Sequence, residues 1–136
     1  MTTSDLKSIY QQLADAVNHR DLDILNQIFD VDLINHGADP DEPRGAYHFK
    51  QVFQNFIAAC PDFRVTIEDQ IAEDDKVVVR WTDTGTHTGT PLFGVPATGQ
   101  QIILTGIDIL RIRNGKIVER WAENDKMYLM ETLGLI

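Results

Sequence analysis

Asp108 is the residue whose neighbours in the sequence most call for a chemical explanation. Ile102 to Ile112 alternates as a strand, and one of its rows reads Ile102, Leu104, Gly106, Asp108, Leu110, Ile112. Alternate residues of a strand share a face, so the carboxylate stands in the middle of an apolar row. There it is paired, protonated or turned into a cavity. Burial disfavours the charged form of a carboxyl, which suits such a group to general-base work near neutrality. The competing reading is a structural carboxylate that ties the strand to a neighbour. Its surroundings depend on the hairpin at Asn114-Gly115. A two-residue turn sets Asp108 opposite Trp121, on a face with Glu119 and Glu123. A three-residue turn with a bulge sets it opposite Arg120, on a face with Ala122. Asn-Gly is the preferred pair of the tight turn and favours the first.

Two histidines are candidates beside it. His36 ends a short apolar run just before the loop 37–45, and His87 sits among glycines in Gly85-Thr86-His87-Thr88-Gly89. That setting suggests a bulge or a close ligand approach. Each is either a pocket residue or a satisfied structural one. His36 with Asp39 and Asp41 could chelate a cation, but a solvated acidic loop explains them better, and no histidine pair has metal-ligand spacing, so no metal is expected. Cys60 before Pro61 reads as a small buried hydrophobe. The only serines, Ser4 and Ser8, lie in the first helix, which leaves a serine triad without support, and no phosphate or dinucleotide loop is present.

The elements that must position these residues follow from patterning. The 136 residues fit one domain, 1–136, and are 43% hydrophobic and 24% charged, a globular composition. Leu6, Ile9, Tyr10, Leu13 and Val17 mark a first helix capped by Thr3 or Ser4; Asp21 opens a second with Leu22, Leu25, Ile28 and Phe29; Leu33 to His36 is extended. Phe49, Val52, Phe53, Phe56 and Ile57 form the buried face of a third helix that Pro61 stops. The period then switches to two: strands follow from Phe63, over 76–88, over 102–112 and over 117–123, with an apolar loop at 89–99. Helices first and a meander of strands afterwards is α+β, with helices packed on one face of a strongly curved antiparallel sheet around a central pocket. A net charge of −9 argues against nucleic acid or an anionic membrane as partner. One cysteine excludes an internal disulfide, and the N-terminus has no leader pattern, so the cytoplasm is the expected location.

Three stretches resemble the SnoaL-like polyketide cyclase (ester cyclase) family of the nuclear-transport-factor-like superfamily: Val77 to Gly89 (VVVRWTDTGTHTG), Gly94 to Gly99 (GVPATG) and Arg111 to Trp121 (RIRNGKIVERW), with Leu133-Gly134 near the end. The resemblance covers most of the chain. It implies a cone-shaped α+β barrel with a deep pocket, a homodimer or tetramer, no cofactor, and ring closure of a polyketide ester by intramolecular aldol chemistry with a pocket Asp and a nearby His. Matched to the family pattern, its histidine falls on Asp108 and its catalytic aspartate on Ala122. This chain therefore lacks the family acid at its usual place. The pattern puts both positions on one face, which favours the bulged hairpin and Arg120 as the neighbour of Asp108.

The expected catalytic set is Asp108, Arg120 and His36, with His87, Trp81, Trp121, Glu123 and Phe53 in the substrate pocket. The ligand expected is a small apolar carbonyl compound, a keto ester or polyketide-like molecule. A non-catalytic ligand-binding protein is the alternative, and epoxide hydrolysis would need an Asp-Arg-Asp relay whose third member the sequence does not place.

Overall fold

The computed structural model describes residues 1–38, 41–42 and 45–136; Asp39, and with it part of the loop expected at 37–45, lies outside them. Helix α1 is Thr3–Asn18. It starts at Thr2, one residue before the caps expected, because Thr2 and Asp5 close a capping box in which each side chain satisfies the other's backbone N–H. A 3-10 turn, Leu22–Ile24, leads into one turn of helix, α2 (Leu25–Ile28). Phe29 was expected on that helix and instead opens strand β1, Phe29–Asn35. Helix α3 is Ala46–Ala59, followed by β2 (Arg64–Glu73), β3 (Lys76–Thr86), β4 (Gln101–Arg113) and β5 (Lys116–Asn124). A last helix not expected from the sequence, α4 (Lys126–Thr132), is capped by Asp125, whose side chain accepts from the Tyr128 N–H.

The five strands form one sheet in the order β1-β5-β4-β3-β2. Strands β2 to β5 are an antiparallel meander, and β1 adds to β5 in parallel, so the sheet is mixed and keeps two edges instead of closing into a barrel. The alternation of β4 is as expected: Ile102, Leu104, Gly106, Asp108, Leu110 and Ile112 are buried, while Ile107 and Ile109 are exposed on the other face. The inner face packs against Leu6, Tyr10, Leu13 and Val17 of α1 and Phe49 and Phe56 of α3, in one apolar core. Among the described residues, no helix is long and apolar enough to cross a membrane.

The hairpin that decides the surroundings of Asp108 resolves both expectations at once. Arg113 pairs with Lys116, and Asn114 and Gly115 have φ of 52° and 73°, as a tight type I′ turn requires. A bulge follows between the Arg111–Glu119 and Ile112–Ile117 pairs, where Val118 is the extra residue on β5. The bulge shifts the register by one. Asp108 pairs with Ala122, and Arg120, expected directly opposite, pairs with Leu110 and reaches Asp108 diagonally.

Candidate active site

Asp108 faces inward from β4 and is 4% exposed. Its Oδ1 accepts a 2.9 Å hydrogen bond from the Trp81 indole Nε1–H, and its Oδ2 accepts one of 2.9 Å from Arg120 Nε. Arg120 Nη1 donates to Asn35 Oδ1 at the end of β1 (3.1 Å), and the guanidinium lies 5.1 Å from the Phe49 ring centre. The guanidinium is thus fixed from three sides, by β4, β1 and α3. The Trp81 contact depends on Gly106, the residue paired with Trp81: a Cβ there would stand 2.3 Å from the indole Cζ2. The missing side chain lets the indole lie across β4 and reach Asp108, one inward position further along. Gly106→Ala should push the indole off, cost about 1–3 kcal/mol through overpacking and change the tryptophan fluorescence spectrum. Unchanged fluorescence and an unchanged urea midpoint would refute this account.

These side chains form part of the wall of a cavity of about 440 Å³ between the sheet and the helices. Trp81, Phe53, Asp108 and Arg120, all expected at the site, line it. Aromatic rings make much of the remainder: Phe29, Phe49, Phe56 and Phe93. Helix α4 contributes Leu129, fully buried, and Lys126. An apolar cavity with a few convergent polar groups is the usual form of a small-molecule site.

The sequence reasoning passed over Asp83. It stands on β3 in the inward row Val77, Val79, Trp81, Asp83, lines the cavity and is only 8% exposed. Its Oδ1 is buried without a hydrogen-bond partner. Burial first, and the nearby Asp108 charge second, raise its pKa from 3.8 to about 8, so it holds a proton at neutral pH. Tyr10 of α1 lines the same cavity, and its phenol is pushed well above its ordinary value by burial, then by Asp108 and Asp83, against a smaller opposing effect of Arg120. Asn35 was also missed as a site residue.

Four expected site residues lie elsewhere. His36 stacks on Trp121 (4.8 Å between ring centres) and pairs with Glu119, Nε2 to Oε2 2.7 Å, on the face of the sheet turned away from the cavity. The cause is the Val118 bulge, which turns Arg120 inward and so sends Glu119 and Trp121 outward. Glu119 also takes Arg111 Nε at 3.0 Å, and hydrogen bonds from His36 and then Arg111 hold its carboxyl below its usual range. Glu123 pairs with the outward Ile107 and lines a shallow depression on that side. His87 is fully buried and pins its own loop: Nε2–H donates to the Thr90 carbonyl (3.1 Å), which leaves Nδ1 to accept from the Thr98 N–H (3.3 Å). Cys60 is buried, as expected, and burial pushes its thiol up to about 11. Among the described residues no group of three His, Cys, Asp or Glu is arranged to hold a metal.

A mixed, curled sheet with helices over one face and a pocket between them defines an α+β protein of the nuclear-transport-factor-like type. The SnoaL-like polyketide cyclase model matches residues 7–133, and the chain belongs to that family. Similar solved structures include TsrD from Streptomyces laurentii (24% identity, TM-score 0.88, covering 100% of this chain and 99% of that one). AclR from Streptomyces galilaeus, a presumed hydroxylase, is 25% identical with a TM-score of 0.84 and 99% of each chain covered. IdmH from Streptomyces antibioticus, a presumed polyketide cyclase, is 29% identical with a TM-score of 0.78, covering 95% of this chain and 98% of that one. No curated protein matches.

Proposed function

We propose that this protein is an enzyme of the polyketide-cyclase type that removes a proton next to a carbonyl in a small, mostly apolar keto ester or polyketide-like molecule, leading to aldol ring closure or isomerisation. The observation that carries this reading is a carboxylate–guanidinium pair set into the wall of an aromatic cavity of about 440 Å³. Asp108 is the base. Trp81 and Arg120 fix its orientation with three hydrogen bonds, the longest from Arg120 Nη2 to Oδ1 at 3.5 Å; a carboxylate has about four acceptor sites, which leaves one on Oδ2 for a substrate proton. Membership of the family and the likeness to IdmH support cyclase chemistry. Ala122 stands beside Asp108 where the family pattern has its acid, so the base here acts from the neighbouring strand.

Ligand binding without catalysis is the second reading, and the pairing of both Asp108 oxygens favours it. An epoxide-hydrolase relay gains nothing: Arg120 bridges Asp108 to Asn35, not to a second acid. Solvent-deuterium exchange at the α-carbon of a panel of keto esters, followed by NMR, tests the proposal. Exchange should occur with the wild type and fall by about 10²–10⁴-fold in Asp108→Asn, the usual contribution of a general base. No exchange across the panel would favour the binding reading, and exchange that survives the substitution would remove Asp108 as the base.

A further inference from the structure

One buried acid takes no part in proton removal by Asp108. Asp83 has a solvent-inaccessible Oδ1 with no partner, on a side chain that lines the same cavity as Asp108. A buried carboxyl oxygen without a hydrogen bond costs free energy, and in an otherwise well-paired site an unpaired oxygen calls for an explanation. Oδ2 is not enclosed in this way, and a ligand in the cavity is the group that could pair with the carboxyl there. Asp83 and Asp108 project from adjacent strands into one cavity, with the Trp81 indole on the same inward row as Asp83. Along that wall Asp83 pairs with Leu104 and Trp81 with Gly106, so the indole lies between Asp83 and Asp108.

We propose that Asp83 is a catalytic residue that contacts substrate, donating a hydrogen bond from its carboxylic acid to the carbonyl oxygen while Asp108 takes the α-proton, with the Tyr10 hydroxyl as a second donor. This rests on the carbon-acid reading above and adds the oxyanion site to it. The step balances without a co-reactant. The C–H electron pair becomes the enolate double bond, the carbonyl π pair moves to oxygen, and the proton goes to Asp108. Asp83 and Tyr10 keep their own protons and hold the oxygen's charge through hydrogen bonds. Asp108 returns to its starting state when it gives the proton back to the enolate carbon, or, after that carbon attacks a second carbonyl to form a C–C bond, when it gives the proton to the new alkoxide oxygen. Donors placed in advance where charge develops are among the largest contributions to such catalysis.

The charged and titratable groups that share the cavity are Tyr10, Glu42, His48, Asp108, Arg120 and Lys126. Glu42 and His48 lie 3.6 Å apart. Among these groups the ionisation of Asp83 responds to Asp108, after burial itself. Loss of the donor proton should therefore appear as an alkaline fall in activity near pH 8.

The test uses the exchange reaction with wild type, Asp83→Asn, Asp83→Ala and Tyr10→Phe, each over a range of pH. Exchange by the wild type should decline as pH rises past about 8. Asp83→Asn keeps a donor of the same size, so it should retain activity and lose the alkaline fall. Asp83→Ala should lower exchange by about 10²–10³-fold, as removal of one oxyanion donor does, and Tyr10→Phe should lower it less. Full exchange in Asp83→Ala with an unchanged pH profile, while Asp108→Asn is inactive, would overturn the proposal and leave the broader reading standing. If the wild type exchanges none of the keto esters, the broader reading fails, and naphthol binding decides the oxyanion site separately. Naphthol, an enolate mimic, should bind wild type and Asp83→Asn at least tenfold more tightly than Asp83→Ala; equal affinity for all three would overturn the site.

Discussion

Arg120→Met should destabilise the protein by about 3 kcal/mol or more, the cost of leaving one charge of a buried pair alone. The carboxylate left behind is well enclosed: the Asp108 side chain is 5% exposed and that of Arg120 18%. After the substitution, Trp81 Nε1–H is its one remaining donor among the contacts described, and Asn35 loses its guanidinium partner. Packing over Phe49 is lost as well. The informative comparison is the double variant Asp108→Leu/Arg120→Met. Replacing both members of a buried pair with apolar groups is often close to neutral, so it should recover most of the loss, and the double-mutant cycle should give a coupling well above 1 kcal/mol. Urea unfolding at neutral pH measures all four proteins. If the single Arg120 variant loses less than about 1 kcal/mol, the range of exposed pairs, the pair is screened by solvent and the electrostatic account of the cavity is wrong.

What could be read in the sequence here follows one principle, strand alternation, and fails where alternation is interrupted. The β4 row was read residue for residue, and it placed Asp108 on the inner wall. Asn114-Gly115 was a correct turn signal. The register was not decided by the turn, because the bulge at Val118 sits three residues beyond Gly115. The structure shows what the bulge accomplishes: Ile117 and Arg120 have opposite parity, yet Ile117 is fully buried and Arg120 reaches Asp108. Both face inward only if one extra residue lies between them. The same bulge explains why His36 stacks on Trp121 outside the cavity. Its partner strand, β1, pairs in parallel with β5, a long-range choice that a local pattern does not reveal. Helix α4 was missed because its seven residues are too few to establish a helical period, and its stability comes from Leu129 packed into the core. Asp83 is different. The row Val77, Val79, Trp81, Asp83 is the argument that singled out Asp108 applied one strand earlier, so this acid was legible and was overlooked.

Asp83→Asn should remove a fall in stability with rising pH that the wild type shows between about pH 4 and about pH 8. The direction follows from the protons held. Folded Asp83 keeps its proton up to about 8, whereas the unfolded chain releases it near the ordinary value of 3.8. Across that window the native state binds one more proton than the unfolded state, so unfolding becomes easier as pH rises, by about 1.4 kcal/mol per unit for a full proton. Carboxyls held below their usual range, such as Glu119 by His36 and Arg111 and Asp75 by Arg111, work in the opposite sense: their contribution is present above their ordinary values and lost in acid. They are common to both proteins and cancel in the difference. Urea midpoints of wild type and Asp83→Asn should therefore diverge steadily from about pH 4 upward, with the variant the more stable and the gap levelling off above about pH 8; parallel curves would show that Asp83 ionises normally in the folded protein. A gain in stability from removing one acid would also bear on function. A carboxyl that weakens the fold at neutral pH, and whose buried oxygen the fold itself leaves unpaired, is strained in the manner of a group kept for its ligand. The same proton that makes Asp83 costly to the fold is the one it would offer to a substrate oxygen, so the stability curve and the alkaline limb of the exchange reaction should turn at the same pH.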